Sequence, residues 1–156
     1  MKMNSLTPLY NTIIHVPFGA IGVRLNHTRT QVQELVYLPS HTQELTPDCD
    51  LAGRVCRQIE SYIANPSFHF NLPLMDRGTA FQKKVWQVIS GLEAGQVLTY
   101  KQVGQIIQCG APRAVGGACG ANPYPLIVPC HRVVGANGIG GFARNDAGSF
   151  IEVIRW

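Results

Sequence analysis

The hydrophobic pattern changes along the chain, and this change restricts the fold more than any other feature. Near the N-terminus, three short apolar runs (TIIHV, AIGVRL and LVYLP) are separated by turn residues, a pattern typical of β-strands. Residues 51–64 instead place apolar side chains at helical spacing, and further helical segments follow from about residue 76. We therefore expect an α+β fold, with a small sheet-plus-helix domain over residues 1–75 and a mainly helical domain over residues 76–156.

Two helix starts in the second half carry the residues of a capping box. Thr79 with Gln82 opens a helix whose predicted inward face comprises Phe81, Val85, Trp86 and Ile89. Thr99 with Gln102 opens a shorter helix, whose predicted inward face comprises Val103, Ile106 and Ile107. A glycine-containing turn and a third helix candidate, residues 113–121, come next. Two helices joined by such a turn predict a helix-turn-helix, whose second helix lies against DNA.

The third helix candidate consists almost entirely of small residues. Gly116, Gly117 and Gly120 each cost about 1 kcal/mol of helix stability relative to alanine, so another interaction must compensate. Either the helix packs closely against a neighbouring element, or its flat surface fits into a narrow groove. The sequence leaves both explanations open.

Charge is distributed unevenly between the two halves. Residues 1–76 carry five basic and six acidic side chains, whereas residues 77–156 carry eight basic and three acidic ones. The basic half indicates a polyanionic partner, although a solvated basic face is the ordinary alternative.

The apolar runs are shorter than the roughly 18 to 20 residues that a membrane span needs. Pro8, Pro17 and Gly19 also interrupt the N-terminal segment in which a secretory signal would lie. We expect a cytoplasmic protein without membrane contact, whose five cysteines are reduced thiols.

Cys130 and His131 stand next to each other between Pro129 and Arg132. A thiolate beside a base is a candidate catalytic pair, whereas a buried, inert cysteine is the alternative. Because neighbouring side chains in a turn point apart, His131 would reach the sulfur through a bridging water or a bend in the backbone. The remaining cysteines and histidines lack the spacing of a zinc site, so no metal is predicted.

Three segments of the second half occur in the order of a known family: GTAFQKKVW, LTYKQV and PRAVGGACGANPYPLIVPCHRVVGANGIGGF. They resemble the O6-alkylguanine-DNA alkyltransferases, also called methylated-DNA–protein-cysteine methyltransferases, over residues 78–156. The resemblance implies an RNase H-like N-terminal domain, a helix-turn-helix alkyltransferase domain and direct repair of double-stranded DNA. An O6-alkylated guanine, or an O4-alkylated thymine, would be flipped out of the duplex and would pass its alkyl group irreversibly to Cys130. A monomer without cofactors is implied as well.

The resemblance also implies roles for individual residues. His131 looks like the water-linked base of Cys130. Asn122 looks like the residue whose side chain holds the active-site turn, although an ordinary Asn-Pro turn with Pro123 is equally compatible. Tyr100 resembles the tyrosine that donates toward the guanine and crowds the 3′ phosphate; the alternative is a core tyrosine at a helix start.

Arg113 resembles the arginine that fills the gap left by the flipped base, whereas an ordinary surface arginine would only touch phosphate. The implied DNA-contacting residues are Arg113, Ala114, Gly117, Ala118, Gly120 and Arg132. The implied base pocket consists of Pro125, Val133, Gly141, Phe142 and Ala143.

The sequence departs from the family pattern at several positions. Phe142 replaces the usual tyrosine, Ala143 a common serine, and Gly120 a common basic residue. The family bonds its histidine to a glutamate further along, whereas this sequence ends at Trp156, and Glu152 lies in a predicted capping box that makes it a poor substitute. We therefore expect either a truncated chain or an incomplete proton relay with slower transfer.

Two other functions are alternative interpretations of the sequence, and a feature of the sequence argues against each. A non-catalytic relative would bind alkylated DNA and recruit another repair pathway, but such relatives carry a different residue at the position of Cys130. A cysteine hydrolase would need a distant histidine and an oxyanion hole, and the sequence supplies no such pattern.

Overall fold

The computed structural model describes residues 9–135. The chain divides into two compact units, Met1–Asp76 and Arg77–Trp156, called the first and second unit below. The described part has a mixed α/β composition, with a small antiparallel sheet and four α-helices, as the sequence predicted at this level. None of the helices in this part is long and apolar enough to cross a membrane.

The first unit contains a three-stranded antiparallel sheet and one helix. The strands β1 (Thr12–Val16), β2 (Gly19–Leu25) and β3 (Val32–Leu38) pair in sequence order. Strand β3 begins earlier than the predicted run LVYLP, because Val32 pairs with Leu25 across a register shift in β2. The central strand β2 is buried along almost its whole length, which makes it the middle of the core.

Helix α1 (Asp50–Ala64) lies against β1 and β2 and buries one face there. Its buried side chains, Ala52, Val55, Ile59 and Tyr62, follow the predicted helical spacing. Complete burial of an aliphatic side chain contributes about 1.5 to 3 kcal/mol, so this face and the sheet stabilise each other. Leu51 and Ile63, which the spacing also includes, are half-buried at the edges of the face.

The second unit is mainly helical. Its helices are α2 (Ala80–Ser90), α3 (Tyr100–Ile106) and α4 (Pro112–Gly120). Two short parallel strands, β4 (Leu98–Thr99) and β5 (Val133–Val134), pair with each other. A single-turn 3-10 helix (Cys130–Arg132) directly precedes β5.

Both predicted capping boxes are confirmed. At α2, the Thr79 hydroxyl accepts from the Gln82 backbone N–H at 3.1 Å, and the Gln82 side chain accepts from the Thr79 N–H at 2.9 Å. At α3, Thr99 and Gln102 repeat this exchange at 3.0 and 2.8 Å. Each box satisfies two N–H groups that a helix start would otherwise leave without an intrahelical partner.

The predicted inward faces are correct in part. Val85, Trp86 and Ile89 of α2 and Val103 of α3 are buried. The prediction for Ile106 is wrong, since 57% of this residue is exposed. Val103 and Gly104 mark the middle of the buried face of α3, and at 3.6 residues per turn Ile106 lies roughly 110° away from it around the helix.

The turn between α3 and α4 depends on Gly104. The Cys109 N–H donates to the Gly104 carbonyl at 2.7 Å, and a Cβ atom on Gly104 would lie only 2.7 Å from the Cys109 carbonyl oxygen. A side chain there would therefore force the two backbones apart, because contacts this close are almost never observed. The glycine lets α4 follow α3 closely.

Helix α4 has one buried and one exposed side. Val115, Ala118 and Cys119 are buried, and the Trp86 indole of α2 donates to the Ala118 carbonyl at 2.8 Å. On the exposed side, a Cβ atom on Gly117 would meet no atom within 4 Å. Close packing against the described residues 9–135 therefore does not explain Gly117. At Gly116 it explains little, because the nearest contact is an ordinary one with the Tyr100 ring at 3.9 Å.

Candidate active site around Cys130

Cys130 lies in a tight backbone turn. Its N–H donates to the Val128 carbonyl at 2.8 Å, and the Arg132 N–H donates to the Pro129 carbonyl at 2.9 Å. The Cys130 carbonyl then accepts from the N–H of Val133, where β5 begins. Cys130 is only 2% exposed. These consecutive bonds fix the direction in which its side chain leaves the backbone.

The Asn122 side chain holds this turn from the opposite end of the loop. Its amide group donates to the Val128 carbonyl at 2.8 Å and to the Cys130 sulfur at 3.4 Å. Its carbonyl oxygen accepts from the Tyr124 N–H at 2.8 Å. One side chain thus uses both its donor and acceptor groups on a single loop. The bond to Tyr124 is the local Asx-type contact that an ordinary Asn-Pro turn also makes, so both interpretations of Asn122 describe real contacts.

Two further interactions connect the turn to the helices. Strand β5 pairs with β4, which places the end of the 3-10 helix beside the start of α3. The Arg132 guanidinium donates to the Leu92 carbonyl just after α2, at 2.8 Å. Residues far apart in sequence therefore fix the turn on both sides.

Two residues that we predicted to contact DNA are buried. Arg132 is 4% exposed and donates to the Leu92 carbonyl inside the second unit, so its contact with DNA stays a prediction that this burial does not favour. Ala118 is 3% exposed and faces α2, because positions 115, 118 and 119 form the inward stripe of α4. Ala118 therefore lies on the opposite side of α4 from the exposed candidates Arg113, Ala114, Gly117 and Gly120.

The other DNA-contacting candidates lie together on α4. Arg113, Ala114, Gly117 and Gly120 are all exposed. Beyond Arg113, this side carries no side chain larger than a methyl group, so the helix backbone itself is accessible. The Tyr100 ring is half-buried beside this surface, against Gly116.

The remaining predicted site residues fall into two groups. His131 and Val133 are buried next to Cys130 in the chain, and Pro125 is half-buried in the loop between α4 and the turn. Gly141, Phe142 and Ala143 lie outside the described residues, as does the predicted C-terminal helix with Glu152. Between residues 9 and 135, no group of three or more His, Cys, Asp or Glu side chains could hold a metal ion.

The environment of Cys130 favours the neutral thiol. The neighbouring Cys119 thiol raises the pKa of Cys130 well above its usual value, and burial raises this pKa further. The hydrogen bond from Asn122 lowers it, because the amide donor stabilises a thiolate, but this effect is the smaller one. Since the thiolate is the nucleophile, the free protein holds Cys130 mainly in its unreactive form at neutral pH.

The sequence assigned no role to Cys119, whose side chain the structure buries on the inward side of α4. The helical period carried the relevant signal, because Val115, Ala118 and Cys119 form one inward stripe. The helical period does not show what this buried side of α4 faces. That depends on how the loop after α4 folds back toward the Cys130 turn.

The turn should depend on the donor half of the Asn122 amide. In Asn122→Asp, the side chain can still accept from Tyr124 but can no longer donate to Val128 or Cys130. We expect a loss of about 1 to 3 kcal/mol in the free energy of unfolding, measured in urea, because a buried acceptor loses its partner. As a control, Asn65→Asp makes the same chemical change at an exposed residue whose side-chain oxygen accepts from Ser67, and it should change stability little. Equal stabilities of the two variants would contradict the assignment.

Comparison with known sequences identifies the second unit. Residues 80–151 match the family described as 6-O-methylguanine DNA methyltransferase, DNA binding domain. A probable methylated-DNA–protein-cysteine methyltransferase of Acanthamoeba polyphaga mimivirus is 36% identical over 132 residues, which are 83% of this chain and 85% of the relative. The methylated-DNA–protein-cysteine methyltransferase of Mycobacterium tuberculosis is 40% identical over 112 residues, 71% of this chain and 67% of the relative.

Solved structures give the same result for the fold. The O6-methylguanine methyltransferase of Mycobacterium tuberculosis matches with a TM-score of 0.73 and 32% identity, covering 92% of this chain and 90% of that one. A structure of the same protein in complex with DNA matches with the same score and identity, covering 92% and 91%. The O6-methylguanine DNA methyltransferase of Methanococcus jannaschii matches with a TM-score of 0.65 and 28% identity, covering 92% of each chain. With relatives this similar over most of both lengths, the chain belongs to the methylated-DNA–protein-cysteine methyltransferase family.

Proposed function

We propose that this chain repairs O6-alkylated guanine in double-stranded DNA by transferring the alkyl group irreversibly to Cys130. The observation that carries the proposal is the constrained turn in which Asn122 and the backbone hold the Cys130 sulfur, with a buried histidine, His131, as the next residue. Family membership supports the reaction, and the Mycobacterium tuberculosis relative solved in complex with DNA supports the partner. An O4-alkylated thymine is a second candidate substrate.

The transfer is a displacement at the alkyl carbon. The Cys130 sulfur forms a bond to this carbon as the bond to the guanine O6 breaks, and the thiol proton finally resides on the released guanine. His131 is the proposed carrier of this proton, through a water molecule. Because the pKa of Cys130 is raised, loss of the proton is part of the barrier. The product is a thioether without a carbonyl group for water to attack, so each molecule acts once.

Binding of DNA is assigned to α3, the following turn and α4, acting as a helix-turn-helix. The exposed side of α4 consists of small residues, which would allow its backbone to approach closely in the minor groove. Such an approach depends on shape and contacts with the sugar-phosphate backbone more than on base edges. Low sequence specificity is expected, which suits a protein that must find a lesion in any sequence context.

Base flipping is assigned to Arg113 and Tyr100. Arg113 is exposed at the first turn of α4, where its planar guanidinium could enter the base stack and replace the flipped guanine. Tyr100 opens α3, and its ring lies 3.9 Å from where a Cβ atom on Gly116 would be, so it borders the same surface. In this proposal, Tyr100 crowds the 3′ phosphate and favours rotation of the nucleotide.

The first unit is proposed to be RNase H-like, on the basis of its antiparallel sheet and packed helix. That the protein acts as a monomer in the cytoplasm stays a prediction from the sequence.

The proposed reaction leaves a mass signature. Incubation with a duplex that carries one O6-methylguanine should add one methyl group to the intact protein, and peptide mapping should find it on Cys130. The addition should be absent in Cys130→Ser and retained in Cys109→Ser, which removes a half-buried thiol from the turn between α3 and α4. Methylation of another cysteine would contradict the assignment. Tight binding of the methylated duplex without any change of mass would favour the non-catalytic alternative.

The role of Arg113 can be separated from simple charge attraction. Arg113→Ala should slow repair of duplex DNA by about tenfold or more, because part of the unstacking cost of a few kcal/mol is no longer offset. Reaction with the free base O6-methylguanine should be almost unaffected, since no flipping is required. Lys84→Ala removes one exposed positive charge from α2 and should weaken duplex repair far less. Equal losses with duplex and free base would show that Arg113 does not act in flipping.

A further inference from the structure

The Trp86 indole of α2 binds the C-terminal end of α4. Its N–H donates to the Ala118 carbonyl at 2.8 Å, and the residue is only 7% exposed. The last four carbonyls of a helix lack the usual intrahelical partner. Ala118 is one of these four positions, because α4 ends at Gly120, and its carbonyl also accepts a longer bond of 3.2 Å from the Ala121 N–H. A neighbouring helix therefore supplies a strong donor to the last turn of α4.

Gly78 fixes the other side of the Trp86 ring. This residue precedes the capping box of α2 and has a φ of +104°, in the region that favours glycine. A Cβ atom on Gly78 would lie 2.7 Å from the Cη2 atom of the ring and closer still to Cζ3. The backbone of residue 78 thus lies directly against the ring, so the ring has little room to move. The start of α2 and the end of α4 are connected through this one side chain.

Few other side chains fix the last turn of α4. Its buried residues there, Ala118 and Cys119, are small, and Val115 lies a turn earlier. Small side chains interlock weakly with a neighbouring helix, whereas a hydrogen bond from a held indole is directional. The bond from Trp86 therefore contributes much of what sets the rotation and position of this turn. Gly117 and Gly120, on its outer side, are exposed and belong to the proposed DNA surface.

We propose that Trp86 is a positioning residue for DNA binding, which sets the place of α4 through Ala118 and thereby the fit of its outer side to the duplex. The inference rests on the proposed function, because it requires that the exposed side of α4 binds DNA. A binding surface must be held to within about 0.5 Å of its productive geometry, so a small displacement of α4 is enough to weaken the fit.

The Cys130 turn has supports that do not involve Trp86. The Arg132 guanidinium donates to the Leu92 carbonyl at 2.8 Å, and β5 pairs with β4 directly after the turn. Loss of the indole bond should therefore displace α4 more than it displaces the Cys130 sulfur. We expect a defect that is specific to duplex DNA and nearly absent with a substrate that needs no helix docking.

Two variants change the placement of α4 from opposite sides of the ring. Trp86→Phe keeps an aromatic ring but removes the N–H donor, whereas Gly78→Ala keeps the donor and pushes the ring away. Each should weaken binding of an unmodified duplex and slow methyl transfer from an O6-methylguanine duplex by about tenfold, the order expected for one lost hydrogen bond. Transfer from the free base O6-methylguanine should stay close to the rate of the unchanged protein.

Val85→Ala is the control for a merely structural effect. Val85 is completely buried in the same helix, so its truncation should lower the midpoint of urea unfolding while the Trp86 donor stays in place. Circular dichroism checks that each variant is folded at the assay temperature. The ratio of the duplex rate to the free-base rate should fall in Trp86→Phe and Gly78→Ala but not in Val85→Ala. An equal fall in all three variants, or equal losses with duplex and free base, would show that Trp86 only stabilises the fold.

The two readouts also separate this inference from the proposed reaction. If the unchanged protein accepts no methyl group, the proposed reaction fails, while the affinities for unmodified duplex still decide the role of Trp86. If the unchanged protein accepts the methyl group but Trp86→Phe binds and repairs the duplex equally well, the positioning role fails alone.

Discussion

The three hydrogen bonds of the Asn122 side chain are the constraint on which the arrangement of the site depends. They join the end of α4, the following loop and the Cys130 turn through one side chain that uses both its donor and its acceptor groups. Loss of these partners would leave polar groups of a half-buried loop unpaired, which is costly, so the loop has few alternative conformations. The same contacts hold the Cys130 sulfur in a buried position, and the Cys119 thiol together with this burial raises the pKa of Cys130. The Asn122 side chain therefore affects both the conformation of the loop and the surroundings of the Cys130 thiol.

Helix α4 serves the site with both of its sides. Its inward stripe contributes Cys119, and it accepts the Trp86 hydrogen bond at Ala118, which connects it to α2. Its outward side is nearly smooth, with open space at Gly117. A helix of this composition is intrinsically unstable, and the buried stripe with the indole bond is what compensates for the glycines. The outward side is thereby left without bulky side chains, as close contact with a nucleic acid backbone requires.

Local signals predicted the second unit well, and contacts between distant segments account for the differences. The capping boxes of Thr79 and Thr99 depend on residues three positions apart, so the sequence contains all the information they need. The family resemblance placed Arg132 among the DNA-contacting residues, whereas in the structure its guanidinium donates to the Leu92 carbonyl, 40 positions away. Ile106 was misplaced because the buried face of α3 is centred on Val103 and Gly104, which contacts between distant segments determine. The fold class followed from periodicity, whereas the partners of Cys130 depended on how the loop closes.

In the free protein, the turn holds Cys130 as a neutral, shielded thiol. This state is tested most directly by the rate at which iodoacetamide alkylates Cys130 as a function of pH, followed by peptide mass. Limited access slows the reaction at every pH but does not change the shape of the profile. Because the pKa is raised, the rate should keep rising beyond the pH near 8.5 at which an ordinary thiol is half ionised. If the rate levels off at the same pH as for a cysteine in a short peptide, or at a lower pH, Cys130 does not have a raised pKa.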